Sequence, residues 1–351
     1  MNAVTIKDVA HAAGVSPATA SRVLSGNPAT SPEARERVEA AAKNLNFLPN
    51  AQARSLRSTK TDTIALLISD VRNPYFSDLA HAVEQHARAA GLMTFIGNAN
   101  EDAAQQDDFL ATMLSRRVDG MIVVPQGLGE QAGNASDMLR RVVDSKIPMV
   151  FVDRTLSDVS IPHVTAESHA ALGQAVATLK AHGHRRIAFI GGPEHASTAL
   201  ERHQAFDAAL EANGLSTNPD LHFAGDFRPA SGADGARWFL ANEHRPTAVV
   251  IADAPMAIGA LRVWREAGAR IGTDFSVVSF DEVDALLMHE PPIATISHDL
   301  EAMGRAAVQA LRSVMNKEAV APVELNSSFT LRASVGAAPE KGNHMEGTAR
   351  S

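Results

Sequence analysis

The sequence contains no cysteine in its 351 residues. This absence excludes disulfide bonds, thiol catalysis and cysteine-ligated metal sites, and it agrees with a reducing compartment. The chain also has no charged leader followed by an apolar stretch, and no apolar run long enough to cross a bilayer. We therefore expect a cytoplasmic protein that does not enter a membrane.

The sequence also lacks the short motifs of the common α/β enzymes. It contains no G-x-G-x-x-G, no G-x-x-x-x-G-K-[ST], no H-E-x-x-H and no G-x-S-x-G. Its 14 histidines are scattered. His81 and His86 fall on one predicted helix, but residues five apart point to different faces, unlike the pair of a zinc protease. We expect no enzymatic activity, no cofactor and no metal ligands.

Positive charge is scarce in the chain as a whole, which carries a formal net charge of −8. That value argues against nucleic acid as a partner until the charge is divided by position. Residues 1–60 contain 8 Lys and Arg against 4 Asp and Glu, whereas the remainder contains 24 against 36. A basic segment therefore precedes an acidic body, and phosphates respond to the local sign.

Residues 4–48 show helical spacing of apolar residues with three capped starts. Thr5 with Asp8 three residues later predicts a capping box, and the Ser-Pro pairs at 16–17 and 31–32 predict two further helix starts. Two short helices joined through a glycine and followed by a third are the helix-turn-helix plan. The alternative is an ordinary three-helix bundle, because helix-glycine-helix alone is a weak signal.

From residue 62 onward, short apolar runs alternate with helical stretches. Runs such as "TIALLIS", "GMIVVPQ", "AVVIAD" and "FSVVSFD" are typical of strands buried on both faces. Alternation of this kind predicts βαβ units and two parallel sheets with helices on both faces. Two such halves leave a cleft between the carboxyl ends of their strands, the usual ligand site of open sheets.

Nine segments in the same order resemble the LacI/GalR family of bacterial transcription regulators, from about residue 4 to 336. They are "TIKDVAHAAGVSPATASRVLSG", "LNFLPNAQARSLRS", "IALLISDVRNPYF", "MLSRRVDGMIV", "GHRRIAFIGG", "RPTAVVIAD", "MAIGAL", "SVVSFDE" and "PPIATI". The resemblance implies an α/β protein with an all-α helix-turn-helix headpiece and a two-lobed core like periplasmic binding proteins. It also implies a homodimer that binds palindromic operator DNA under control of an effector, most often as a repressor.

The resemblance also implies the domain organisation. The expected parts are a DNA-binding headpiece at 1–48, a hinge helix and linker at 49–61, a core at 62–336 and a disordered tail at 337–351. Within the core we expect a first lobe of about 62–161 and 294–322, and a second lobe of about 162–293 and 323–336.

Leu56 is the large apolar residue of "PNAQARSLRSTK", where its neighbours are cations and no acid is present. In the family, the matching segment folds on DNA and its leucine wedges between base pairs from the minor groove, which kinks the duplex. The alternative interpretation is that Leu56 is an ordinary exposed leucine in a linker.

In the headpiece, the positions that match the family predict that Pro17, Ala18 and Arg22 face bases. Ser16, Thr19 and Ser21 are expected mainly to contact phosphates. The full set of expected DNA-binding residues is Thr5, Ser16, Pro17, Ala18, Thr19, Ser21, Arg22, Asn50, Ala53 and Leu56.

The residues that match the family's effector pocket combine aromatic walls, one arginine and several carboxylates. They are Ser69, Asn73, Tyr75, Phe76, Asp153, Arg202, Phe227, Asp253 and Asp281. This chemistry suits a polyhydroxylated sugar, although Arg202 would equally hold a sugar acid or a sugar phosphate. Individually, Asp153 and Asp253 are as well explained by ordinary salt bridges or strand-end contacts. Members of the family usually carry Asn-Asp where this chain has Asp253-Ala254, which leaves the identity of the ligand open.

Two other classes of protein share parts of this pattern. A periplasmic sugar-binding protein without a regulatory role has the same core, but it needs a signal peptide and has no helix-turn-helix. An α/β enzyme has a similar rhythm of strands and helices, and turnover of a sugar by the purified protein would favour it.

Overall fold

The computed structural model describes residues 4–24, 29–47, 61–129, 133–244 and 246–339. The chain divides into two compact units, Met1–Thr61 and Asp62–Ser351. Of the expected hinge and linker at 49–61, all but Thr61 lies outside the described residues. None of the described helices combines the length and the apolar character that crossing a membrane requires.

In its described residues, the first unit has three short helices around a small apolar core. They are α1 (Ile6–Ala12), α2 (Pro17–Leu24) and α3 (Pro32–Asn44). Gly14 turns the chain between the first two with a φ of +63°, and Val9, Ala20 and Val38 are fully buried between the helices. The predicted headpiece helices and their N-terminal boundaries are confirmed.

The described part of the second unit alternates strands and helices. Its strands are β1 (Thr63–Ile68), β2 (Met93–Asn98), β3 (Gly120–Val123), β4 (Met149–Val152), β5 (His163–Glu167), β6 (Ile187–Gly191), β7 (His222–Ala224), β8 (Ala248–Ile251), β9 (Ser276–Phe280), β10 (Ala294–Ser297), β11 (Val323–Asn326) and β12 (Ser328–Thr330). Its helices are α4 (Pro74–Ala89), α5 (Ala103–Arg116), α6 (Asp137–Asp144), α7 (His169–Ala181), α8 (Ser197–Ala212), α9 (Pro229–Ala241), α10 (Ala254–Glu266), α11 (Asp284–Leu287) and α12 (Leu300–Met315), with a 3₁₀ turn at Pro219–Leu221.

The strands form two six-stranded sheets, one for each lobe. The first has the order β11-β5-β4-β3-β1-β2 and is parallel throughout. The second has the order β12-β10-β9-β8-β6-β7, and only β12 at its edge runs antiparallel. Helices cover both faces, so the central strands are continuous buried runs, as their sequences predicted. The expected pair of parallel sheets is confirmed.

The lobe boundaries differ from the expected ones at three strands. Residues 163–167 and 323–326 were expected in the second lobe but pair in the first sheet, whereas 294–297 was expected in the first lobe but pairs in the second sheet. In each case the chain completes a strand of one sheet before it crosses to the other lobe, so the crossings lie near residues 168, 298 and 327. The first of these strands, "HVTAE", is only half-buried and has no apolar run to reveal it.

The first residues of the expected disordered tail at 337–351 are ordered against the second lobe. The backbone N–H of Ala338 donates to the carbonyl of His182 at 2.8 Å, which ties residues just beyond 336 to the second lobe. Residues 340–351 lie outside the described part of the chain.

Close packing of α9 against α10 depends on two glycines. A Cβ atom at Gly232 would lie 2.0 Å from the carbonyl oxygen of Met256, and one at Gly259 would lie 1.9 Å from that of Pro229. Any larger residue would force the helices apart. This pair of helices sets the position of the α10 N-terminus, which contributes to the site described next.

Candidate functional site

The exposed face of α2 carries most of the residues predicted to contact DNA in the headpiece. Ser16, Pro17, Ala18 and Arg22 are exposed, while Thr19 and Ser21 are half-buried. The Ser16 hydroxyl accepts a hydrogen bond from the backbone N–H of Thr19 at 3.1 Å, which caps the helix. Thr5 is exposed as well, and its N–H and hydroxyl both donate to Asp8. The predicted contacts at Asn50, Ala53 and Leu56 lie outside the described residues.

The second unit contains a pocket of about 240 Å³ where the carboxyl ends of the two sheets meet. Eight of the nine predicted effector residues line it, together with two that were not predicted. The lining residues are Asn73, Tyr75, Phe76, Asp153, Arg154, Thr198, Arg202, Phe227, Asp253 and Asp281. The structure therefore places eight of the nine predicted side chains, from both lobes, around one pocket. Their roles as ligand contacts stay a prediction.

Several of these residues adopt a backbone conformation that is uncommon outside glycine. Asp153, Phe227 and Asp281 follow β4, β7 and β9 and have φ values of +67°, +62° and +66°. Left-handed backbone conformations of this kind carry a conformational cost and concentrate at functional sites. Each one turns the chain sharply at the end of a strand, so that the side chain points into the pocket.

Asp253 and Asp281 place two buried carboxylates side by side in the second lobe. Asp253 caps α10 by accepting a hydrogen bond from the Met256 N–H at 2.9 Å, and Asp281 accepts one from the Ala254 N–H at 3.3 Å. Burial raises the pKa of Asp281 to about 6, and burial beside Asp281 raises the pKa of Asp253 well above its ordinary value. Among the described residues, none donates to Asp253 Oδ2 or to Asp281 Oδ1. Within the described residues, each acid therefore accepts hydrogen bonds through one oxygen only.

Asp153 faces these acids from the first lobe and is held by Tyr75. The Tyr75 hydroxyl donates to Asp153 Oδ1 at 2.6 Å, and both side chains are buried. Burial, followed by the proximity of Asp153, raises the pKa of Tyr75 well above its usual value, so the phenol stays protonated as a donor. The Tyr75 ring also packs edge-on against Phe76, with centroids 5.0 Å apart.

Arg202 is buried on α8. It connects the pocket to the three places where the chain crosses between the lobes, near residues 168, 298 and 327. One nitrogen donates to the Ala252 carbonyl, and Nη2 lies 3.4 Å from His298 Nε2. Burial and Arg202 lower the pKa of His298 to about 3, so the ring is neutral and accepts at Nε2. Its Nδ1 therefore donates to the Ser327 hydroxyl at 3.0 Å, and that hydroxyl donates to the Glu167 carbonyl. Residues beside all three crossings thus form one hydrogen-bonded chain that ends at Arg202.

Arg154 was missed by sequence reasoning, and it occupies a central position in the first lobe. Its guanidinium forms a bidentate ion pair with Glu101 at 2.7 and 2.9 Å. It also lies 5.7 Å from the ring centroid of Phe76 and 5.3 Å from that of Phe227, so it bridges the two aromatic walls. Arg154 therefore supports the walls of the pocket rather than presenting a free charge to a ligand.

Ser69 is the predicted effector residue that does not line the pocket. It is fully buried, and its hydroxyl accepts hydrogen bonds from Gln126 Nε2 at 2.9 Å and Arg154 Nη1 at 3.1 Å. The structure therefore gives Ser69 a supporting position behind Arg154.

Comparison with known proteins matches both units of the chain. Residues 5–50 match the family described as bacterial regulatory proteins, lacI family, and residues 176–335 match a periplasmic binding protein-like domain. The HTH-type transcriptional repressor PurR of Photobacterium profundum is 31% identical over 335 residues, which cover 94% of this chain and 98% of the relative.

Solved structures of similar fold include transcription regulators in complex with DNA and with sugar. The Lac repressor dimer bound to operator and the anti-inducer ONPF is 28% identical, with a TM-score of 0.81 over 96% of this chain and all of that one. The transcriptional regulator CelR in complex with cellobiose is also 28% identical, with a TM-score of 0.69 over 94% of this chain and 99% of that one. Both likenesses extend across the headpiece and the core.

Proposed function

This chain belongs to the lacI family of bacterial regulatory proteins and is a DNA-binding transcriptional repressor with an effector-binding core, and we propose that its effector is a small neutral sugar. Proteins of this kind are regulators and not enzymes. The proposal rests on the pocket between the lobes and on the balance of charge and hydrogen-bonding groups in its walls.

The observation that carries the proposal is a pair of buried carboxylate oxygens, Asp253 Oδ2 and Asp281 Oδ1, to which no described residue donates. A buried acceptor without a partner costs free energy, so a ligand that supplies donors at this position gains affinity. Sugar hydroxyls are such donors. Aromatic walls at Phe76 and Phe227 suit the apolar faces of a sugar ring.

The charges of the pocket favour a neutral ligand over a sugar acid or a sugar phosphate. Glu101 pairs with Arg154, so three acids, Asp153, Asp253 and Asp281, share the guanidinium of Arg202. The pKa values of Asp253 and Asp281 are raised, which means that negative charge is already costly at this position, and an anionic ligand would add to it. The cellobiose complex of CelR supports a carbohydrate as the ligand class.

We propose that the protein acts on a palindromic operator as a homodimer in the cytoplasm. An apolar strand edge supports self-association through the first lobe. β2 is the edge strand of its sheet, and Met93, Phe95 and Ile96 expose 65%, 38% and 50% of their surface. Exposed apolar edges of this kind pair with another chain or aggregate.

The proposal for the effector is tested by thermal shift of the purified repressor with three matched sets of ligands: neutral monosaccharides, sugar acids and sugar phosphates. We expect a neutral sugar to raise Tm, and Asp281→Asn to reduce that rise at the same sugar concentration. A rise with the acids or the phosphates alone would contradict the proposal. Each hit is then titrated into the complex with operator DNA, which measures whether the effector weakens or strengthens DNA binding.

The role proposed for Leu56 is tested separately, because this residue lies outside the described part of the chain. Leu56→Ala is expected to lower operator affinity severely while effector binding stays unchanged, since only the wedge into the base step is lost. Leu240→Ala, which removes an exposed leucine of α9, serves as the control. Equal operator affinity for the Leu56 variant and the control in a gel-shift titration would refute the role.

A further inference from the structure

A group of two histidines and an aspartate lies in the second lobe, where α8 packs beside the edge strand β7. His203 and Asp207 are four residues apart and therefore share one face of α8. His222 is the first residue of β7 and faces them. One potential ligand atom from each of these three residues lies within 4.8 Å of the other two.

The distances between these groups are close to those of a metal site. His222 Nδ1 lies 2.8 Å from His203 Nε2, and the Asp207 carboxylate lies 3.6 Å from His203 Nε2 and 3.5 Å from His222 Nε2. In a tetrahedral zinc site, bonds of ~2.0–2.2 Å place neighbouring ligand atoms about 3.3 Å apart. With one ligand atom taken from each residue, the three atoms already lie within 4.8 Å of one another, so shifts of up to about 1.5 Å bring them to that spacing.

Two further features suit a bound cation. Asp207 Oδ1 is buried and accepts no hydrogen bond from the described residues, although His222 Nε2 lies 3.5 Å from it. His203 Nε2 and His222 Nδ1 share one proton in their hydrogen bond, so one of the two nitrogens has a lone pair directed into the group, and a cation would replace that proton. The His203 ring stacks on Phe189 with centroids 5.8 Å apart, and the His222 ring packs edge-on against Phe206 at 5.7 Å, which limits the orientations of both rings.

We propose that His203, Asp207 and His222 bind a divalent transition-metal ion of the zinc type. Two imidazoles and one carboxylate are the donor set that such ions take, whereas Mg²⁺ and Ca²⁺ prefer oxygen ligands alone. His203 is half-exposed, so solvent reaches the group and can complete the coordination.

The position of the site gives the ion a structural consequence. His203 directly follows Arg202 of the pocket, and β7 leads to Phe227 on the opposite wall. A metal that joins α8 to β7 would fix these two elements relative to each other. The site is separate from the effector pocket, so its test does not depend on the identity of the sugar.

The test is a titration of ZnCl₂ into full-length, tag-free repressor that has been treated with a chelator and then freed of it. We expect one equivalent to bind saturably and Tm to rise by several degrees at saturation. His203→Gln and Asp207→Asn each remove a ligand and are expected to weaken zinc binding at least about tenfold. Substituting a residue that only supports a metal ligand already weakens metal binding by ~10–100-fold. Titration with CoCl₂ should produce visible absorption bands that the same two substitutions remove.

His244→Gln is the matched control, because it removes a histidine of the same lobe that pairs with a single carboxylate, Asp220. This variant is expected to bind zinc as the unsubstituted protein does. The absence of saturable binding would overturn the proposal. So would binding that survives in His203→Gln or that is lost in His244→Gln. Circular dichroism of each variant checks that the fold is retained. We expect it to be retained in His203→Gln because the side chain of His203 is half-exposed.

Discussion

Replacing Asp281 by asparagine should make the repressor more stable and less able to bind its effector. The side chain is 4% exposed, and only one of its carboxylate oxygens accepts a hydrogen bond from a described residue. An asparagine oxygen can accept the same hydrogen bond from the Ala254 N–H. The asparagine side chain is neutral, so the fold no longer has to bury a negative charge at this position. The backbone φ of +66° is also tolerated better by asparagine than by most residues.

The magnitude follows from the pKa of Asp281, which burial raises from 3.8 to about 6. A carboxyl whose pKa is higher in the folded state destabilises that state once the pH exceeds the unfolded pKa, because ionisation costs more in the fold than in water. The cost is absent below pH 3.8, grows through the interval up to about pH 6 and is constant above it. By linkage the cost is about 1.6 kcal/mol at pH 5 and about 3 kcal/mol at pH 7.5.

Asp281→Asn should therefore raise the unfolding free energy at pH 7.5 by about 3 kcal/mol, and by about half as much at pH 5. Urea unfolding at both pH values measures this difference. The control is Asp234→Asn, which removes an exposed acid paired with Arg237 and is expected to change stability by less than about 1 kcal/mol. A variant that is less stable than the unsubstituted repressor at pH 7.5, or a difference that does not shrink at pH 5, would refute the reasoning. Effector affinity should fall about tenfold or more, since a hydrogen bond to a charged group is lost.

Three further substitutions test other parts of the structure. Glu101→Gln should lower the unfolding free energy by about 3 kcal/mol, because it leaves the buried Arg154 without its bidentate partner, and unchanged urea unfolding would contradict this. Ile96→Lys should shift the protein from dimer to monomer in sedimentation analysis, because it puts a charge on the exposed edge of the first sheet, and an unchanged dimer would exclude that edge as the interface. Gly259→Ala should lower the unfolding free energy by about 1–3 kcal/mol through a clash with the neighbouring helix, whereas Gly173→Ala, with nothing within 4 Å of the added Cβ, should raise it slightly.

The sequence reveals most of the fold because its elements are set by local signals. Serine-proline pairs at the starts of α2 and α3 and the apolar run of β1 each depend on neighbouring residues only. The lobe boundaries depend instead on which strands pair across the chain. The half-buried strand 163–167 and its distant neighbour 323–326 complete the first sheet together, and their sequences carry no information about that pairing.

The site shows the same division between local signals and distant contacts. Asp253 and Asp281 can be predicted because a carboxylate directly after a buried strand lies at the ligand-binding edge of a parallel sheet. Arg154 could not be predicted in the same way, because alternation along a strand puts neighbours on opposite faces, and Asp153 already points into the pocket. The φ of +67° at Asp153 interrupts that alternation and lets both side chains reach the pocket.

The two readings that the sequence left open for Asp253, a structural contact and a ligand contact, are both compatible with the structure. One oxygen caps α10 and so serves the fold, while the other is buried without a donor among the described residues. If Asp253 only capped its helix, the fold would be more stable with a hydrogen-bond donor at the second oxygen, or with that oxygen exposed to solvent. Burying that oxygen beside Asp281 raises the pKa of Asp253 and costs stability instead. A ligand that donates to this oxygen would offset the cost, and the same reasoning underlies the prediction that Asp281→Asn improves stability and impairs effector binding.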